Sequence, residues 1–193
     1  MKKALLIALL SVLQTSMPAH GIETMPPALQ GVLIAKMLGF EKRIDQTAFR
    51  GMITVGILYD NSQNSKNDAE NLATAFEKIR NSDVKIKQYS VNCTLLPLTT
   101  DLNLKNELRE IHASVLCAFL SSKNAKTVIQ ITRELKVLSI ACTDAEQNVF
   151  EGVSVGLGVE QGKSKILINT DSAGLEGREF TSSFLLLTTV VNK

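Results

Sequence analysis

The chain has 193 residues, 45% hydrophobic and 21% charged, a globular composition with enough apolar content for one well-filled core. Its formal charge of +2 is spread without a basic run, which gives no reason to expect nucleic acid or a polybasic membrane contact. With only His20 and His112 to set beside Cys93, Cys117 and Cys142, a Cys/His zinc site lacks ligands, and neither metal nor cofactor is expected.

Residues 1–21 read as a secretory signal peptide: Lys2 and Lys3 make a positive start, 4–13 is an apolar run broken only by Ser11, and Ala19-His20-Gly21 places small residues at a cleavage site. The run is too short to span a bilayer comfortably and no later stretch approaches membrane length, so stable insertion is not expected. Removing two lysines from 21 basic residues leaves the mature chain balanced against its 19 acids. A short two-lysine leader is bacterial in style and points to the periplasm. In that oxidising compartment one disulfide among Cys93, Cys117 and Cys142, its pairing open, stands beside the alternative of three small buried hydrophobes.

From residue 22 onward the pattern predicts a single α/β domain. Pro26-Pro27 opens an amphipathic helix over 28–44, with Leu29, Val32, Leu33, Lys36, Met37 and Phe40 at spacings of three and four. Residues 52–59 are a near-continuous apolar and β-branched run, read as a buried parallel strand. A polar loop over 60–68 precedes a helix over 69–80 marked by Leu72, Ala75, Phe76 and Ile79. Alternation predicts a strand over 84–91, then a connection carrying Cys93 and Pro97. Helices follow over 101–112 and, after Ser121-Ser122, over 124–135, with strands at 114–120 and 137–141. Strand and helix in alternation imply parallel βαβ units. From Phe150 the pattern changes: strands at 153–159 and 165–169 are separated by five residues, which implies an antiparallel hairpin. The expected architecture is a three-layer, Rossmann-like α/β domain whose mostly parallel sheet ends in that hairpin.

Motifs for chemistry fail on spacing. Gly162-Lys163-Ser164 ends like a phosphate-binding loop, but Leu157 stands where the first glycine is required and a strand follows instead of a helix. Asp60-Asn61-Ser62-Gln63-Asn64-Ser65 begins like a calcium loop, but Ser65 replaces the bend glycine and Asn71 the bidentate glutamate. Because this loop leaves the carboxyl end of the first parallel strand, it lies on the edge where α/β domains bind ligands. No serine sits in a nucleophile elbow, and His112 falls at a helix end, the place of a C-terminal cap. Glu176 with Glu179, or Asp144 with Glu146, read as solvated carboxylates, and no enzyme is expected.

The closing stretch carries the remaining signal. Asn169-Thr170-Asp171-Ser172 is a capping cluster directly after a strand, Gly174 and Gly177 break the chain, and Thr181-Ser182-Ser183 opens the run 184–191. Arg178, Glu179, Thr181, Ser182 and Ser183 form a polar island at a helix start, suited to an anion or a partner's carboxylate, with 185–187 expected in the core. The arrangement of Phe150-Glu151-Gly152-Val153, Ile166-Leu167-Ile168-Asn169, Gly177, Phe180, Ser182-Ser183 and Leu185-Leu186-Leu187 resembles the YfiR family of periplasmic regulators.

That resemblance implies a non-enzymatic, often dimeric domain that binds the sensor region of an inner-membrane diguanylate cyclase and represses it. Asn169, Arg178, Glu179, Thr181, Ser182 and Ser183 would then supply the contact. Two features depart from the family: 40–44 occupies the region of its Trp-Pro pair in a chain without tryptophan, and the cysteines do not follow its pattern. A periplasmic sensor or binding module for a small molecule, a nucleotide or amino acid, is the alternative.

Overall fold

The computed structural model describes residues 21–82, 84–98, 100–120 and 124–191. The expected signal peptide, apart from Gly21, and Ser121-Ser122 lie outside the described residues. In chain order the elements are β1 (Glu23–Thr24), α1 (Pro27–Leu38), a 3-10 turn (Ile44–Gln46), β2 (Met52–Tyr59), α2 (Gln63–Asn81), β3 (Ser90–Pro97) and α3 (Asp101–Glu110). They continue with β4 (Ala113–Phe119), α4 (Ala125–Leu135), β5 (Leu138–Ala141), α5 (Ala145–Glu151), β6 (Val155–Glu160), β7 (Lys163–Ile168), α6 (Thr170–Leu175), α7 (Ser182–Leu185) and β8 (Thr189–Val190).

The strands form one sheet in the order β3-β2-β4-β5-β6-β7-β8, with β1 added antiparallel to β6. Pairings from β3 through β6 are parallel, and β6 and β7 form the antiparallel hairpin. Gln161 and Gly162, both at positive φ, make its turn, which is where the phosphate-loop near miss falls. Helices cover both faces. Ile34 and Met37 of α1 and Leu72 and Phe76 of α2 pack with Val55, Ile57, Cys117 and Ile140 on one side. On the other, Leu104 and Leu108 of α3 and Val128 and Ile131 of α4 pack with Leu58, Leu96 and Leu116. The mostly parallel three-layer architecture expected from the sequence is the one observed.

Four local expectations change. The first helix ends at Leu38 instead of running to 44, because Glu41 turns inward, is fully buried, and accepts the amides of Arg43 and Glu179 at 3.0 and 3.1 Å. The second helix starts at Gln63, inside the expected loop, because the Ser62 side chain caps the Ser65 amide. The strand expected at 84–91 is instead β3 at 90–97: Ile86 and Tyr89 exchange both backbone hydrogen bonds around Lys87 at φ 55°, a tight turn. As an edge strand, β3 tolerates Pro97 at its end and presents no continuous apolar face. A short helix, α5, occupies 145–151, where no element was expected; Ala145, Asn148 and Val149, within one turn of one another, are its buried face.

Candidate functional site

The order of the strands reverses direction between β2 and β4: the chain leaves β2 to build β3 on one side, then crosses back to build β4, β5 and β6 on the other. In open parallel sheets the carboxyl ends of the two strands flanking such a reversal diverge, and the crevice between them is the usual ligand position. Here that crevice is framed by the loop 60–62 and the first turn of α2, by the end of β4 at Phe119 and Leu120, and by the loop 142–144 after β5.

The frame is held by short hydrogen bonds. Ser65, nearly buried in the first turn of α2, accepts from the Asp60 amide at 3.0 Å and donates to the Phe119 carbonyl at 2.6 Å, which joins the β2 loop to the end of β4. Asp60 Oδ1 accepts the Ser62 amide at 2.9 Å, the Leu98 amide donates to the Tyr59 carbonyl at 2.7 Å, and Thr143 Oγ1 donates to the Leu120 carbonyl at 3.2 Å. Three loops are thereby fixed relative to one another while Asn61, Ser62, Gln63 and Asn64 stay exposed at the rim. The first turn of the 19-residue α2 carries no acid of its own; the carboxylate beside its start is that of Asp60, which accepts the amide of the N-cap residue Ser62. Farther along the same edge, beyond Thr143, a concavity of about 660 Å³ opens between Ile22 and α5, lined by Asp144, Gln147 and the half-exposed ring of Phe150. Amide and hydroxyl side chains with one or two carboxylates can hydrogen-bond a small polar ligand. They supply no activated nucleophile.

The residues singled out in the closing stretch lie at the opposite edge. Because β7 runs against the parallel strands, its carboxyl end reaches their amino ends, where Asn169 is buried, caps the Ser172 amide at 2.9 Å and bonds the Val149 carbonyl at 3.3 Å. Arg178 is 3% exposed, so the polar island does not present it to solvent. Its guanidinium donates to the Ser114 carbonyl at 2.7 Å, the Lys136 carbonyl at 2.9 Å and Thr47 Oγ1 at 2.9 Å, and lies 3.6 Å from the buried Glu41. Burial lowers the Arg178 pKa, opposed by the carboxylates of Glu41 and Glu176.

Glu176, expected at the surface, is fully buried. It accepts from Thr132 Oγ1 at 2.6 Å, the Ser139 amide at 2.9 Å and Ser154 Oγ at 2.5 Å; burial pushes its pKa up, and those donors pull it partly back. Glu179, Ser182 and Ser183 are exposed and Thr181 is half-buried, Glu179 pairing with Lys42 at 2.5 Å and Arg43 at 3.7 Å. Of 185–187, only Leu185 packs toward the core; Leu186 and Leu187 are 87% and 75% exposed, because α7 is a single turn that buries Phe184 instead. The six residues do not converge on one face.

Cys93, Cys117 and Cys142 are free, the first half-buried and the other two buried. Burial pushes the Cys117 thiol well up, reinforced by its hydrogen-bonding neighbour Cys142. His112 stacks on Phe49 with ring centroids 3.8 Å apart; the helix-end bond at this position comes from its backbone amide, to the Arg109 carbonyl at 3.1 Å. Among the described residues no group of three His, Cys, Asp or Glu is placed to hold a metal ion, and no helix is long and apolar enough to cross a membrane.

No family model matches the chain, and no curated protein matches it. Solved structures do. The ABC domain in complex with L-Trp from Streptococcus pneumonia is 16% identical with a TM-score of 0.57, over 86% of this chain and 60% of that one. The ligand-free, open structure of a substrate binding protein with adhesive properties from Clostridium difficile is 16% identical with a TM-score of 0.51, over 79% of this chain and 58% of that one. The chain thus spans about three fifths of the length of these binding proteins, and what it shares with them is the fold.

Proposed function

We propose that the chain is a periplasmic binding module for a small polar solute of amino-acid size, held at the carboxyl edge of the sheet between β2 and β4. The observation that carries this reading is the Ser65 bridge, which joins the Asp60 amide to the Phe119 carbonyl and locks the two strand ends that flank the reversal of strand order. A rigid frame around exposed amide and hydroxyl groups is what a pre-formed polar subsite requires. The likeness in fold to proteins described as an L-Trp complex and as a substrate binding protein supports the same reading. It favours small-molecule binding over repression of a membrane cyclase, since the residues that would have carried the latter contact are split between buried and exposed positions.

The test is a thermal-shift screen of the purified chain against the amino acids and the common nucleosides and nucleotides, followed by calorimetry. A true ligand at a hundred times its Kd raises Tm by roughly 5–10 °C for a domain of this size. Replacing Asn61 and Asn64 together with alanine weakens that binding roughly tenfold, by loss of two ligand hydrogen bonds. A flat screen, or an unchanged affinity in the double variant, overturns the assignment.

A further inference from the structure

Helix α1 is apolar around more of its circumference than one buried face requires. Gln30, Gly31, Ile34, Met37 and Leu38 face inward, yet Leu29 and Val32 remain 39% and 41% exposed. Val32 and Ile79 of α2 together line two adjoining concavities of about 580 and 410 Å³, so the surface between the two helices is one continuous groove that ends at the half-exposed Val84. Among the described residues, every charged one lining the groove is a lysine: Lys36, Lys78, Lys85 and Lys87. Lys87 is held by Asp45 at 3.8 Å and by the Glu41 carbonyl at 2.9 Å. Among the described residues, Lys36, Lys78 and Lys85 have no carboxylate partner; Asp83, next to this rim in sequence, lies outside them.

We propose that this groove docks an acidic amphipathic helix of a partner protein. The apolar floor would receive the partner's aliphatic stripe and the lysines its flanking carboxylates, the arrangement of helix-in-groove recognition. The 12 residues of α1 make a helix about 18 Å long, so a partner helix of three to four turns matches the floor. Charge sign decides against two other occupants. A second copy of this chain related by a two-fold axis would set lysine against lysine. The chain's own leader carries Lys2 and Lys3 and no acid, and is repelled in the same way. A concave groove also fits a helix better than the flat surface of a bilayer.

The experiment uses the purified chain and two designed helical peptides of about 18 residues sharing one leucine stripe, flanked by glutamate in the first and by lysine in the second. Binding is read by fluorescence anisotropy at low and high salt. The expected result is that the glutamate peptide binds at least about tenfold tighter than the lysine peptide and loses affinity with salt. Two variants, Val32→Ser and the double Lys78→Glu/Lys85→Glu, change exposed positions. With unchanged circular dichroism and Tm, each is expected to abolish the preference for the glutamate peptide. Equal binding of the two peptides, no binding of either, tighter binding to phosphatidylglycerol vesicles than to the glutamate peptide, or a dimer in sedimentation that Val32→Ser dissociates would each overturn the proposal.

Discussion

Arg178 and Glu41, 137 residues apart in the chain, meet 3.6 Å from each other with side chains 1% and 0% exposed. The pair joins the segment after α1 to the segment after α6, and Arg178 also binds the Ser114 carbonyl at the start of β4 and the Lys136 carbonyl just before β5. Charge and hydrogen bonding thereby tie the segments at the amino edge of the sheet to one another.

Removing one partner of this pair strands the other as a buried charge. Arg178→Met is therefore expected to cost about 3–5 kcal/mol, and Glu41→Gln in the same background to return part of it. Chemical denaturation of the two single variants and the double variant checks this. By contrast, Glu179→Ala removes only exposed ion pairs and should cost no more than about 1 kcal/mol. Additive single and double effects at Arg178 and Glu41 would mean that the two do not interact.

Glu176 makes stability depend on pH. Its folded pKa is raised by burial, so the stabilisation it contributes is fully present below the unfolded carboxylate value and is lost as pH rises through the folded value. Glu176→Gln removes that titration. The stability difference between wild type and the variant should be largest in acid and shrink as pH climbs above the usual carboxylate range. Denaturation midpoints measured across that interval check it, and parallel curves would rule out a raised pKa.

Sequence pattern made most of the sheet legible. The run 52–59 became β2 without adjustment, because a strand buried on both faces must be apolar throughout. The loop leaving it is placeable on the carboxyl edge for the same reason. β3 is not legible because an edge strand has no such requirement, and α5 because its seven residues bury only three positions, one of them the polar Asn148. The sequence places Arg178 and Glu176 at the surface, where neither lies, because local sequence displays charge, not burial. Gly177, at φ 73°, turns the chain so that Arg178 points under β4 and β5 instead of outward. The buried partner, Glu41, stands between Phe40 and Lys42 in a stretch that reads as the end of a helix.

The closeness of α1 to α2 depends on Gly31. A Cβ built there would lie 2.8 Å from the Ala75 Cβ, so a β-branched side chain must push the helices apart. Gly31→Val is expected to lower stability by roughly 1–3 kcal/mol. Pairing it with Ala75→Gly should restore part of the loss, measured by thermal denaturation. A neutral Gly31→Val would show that the two helices are not in this contact.

Amide chemical-shift mapping of the isotope-labelled chain, titrated with the best ligand from the solute screen, tests the proposed site most directly. The expected shifts concentrate on Asn61 to Ser65, Leu120 and Thr143, the three loops joined by the Ser65 and Thr143 bonds. Shifts concentrated instead on 176–183, at the opposite edge, would contradict the account.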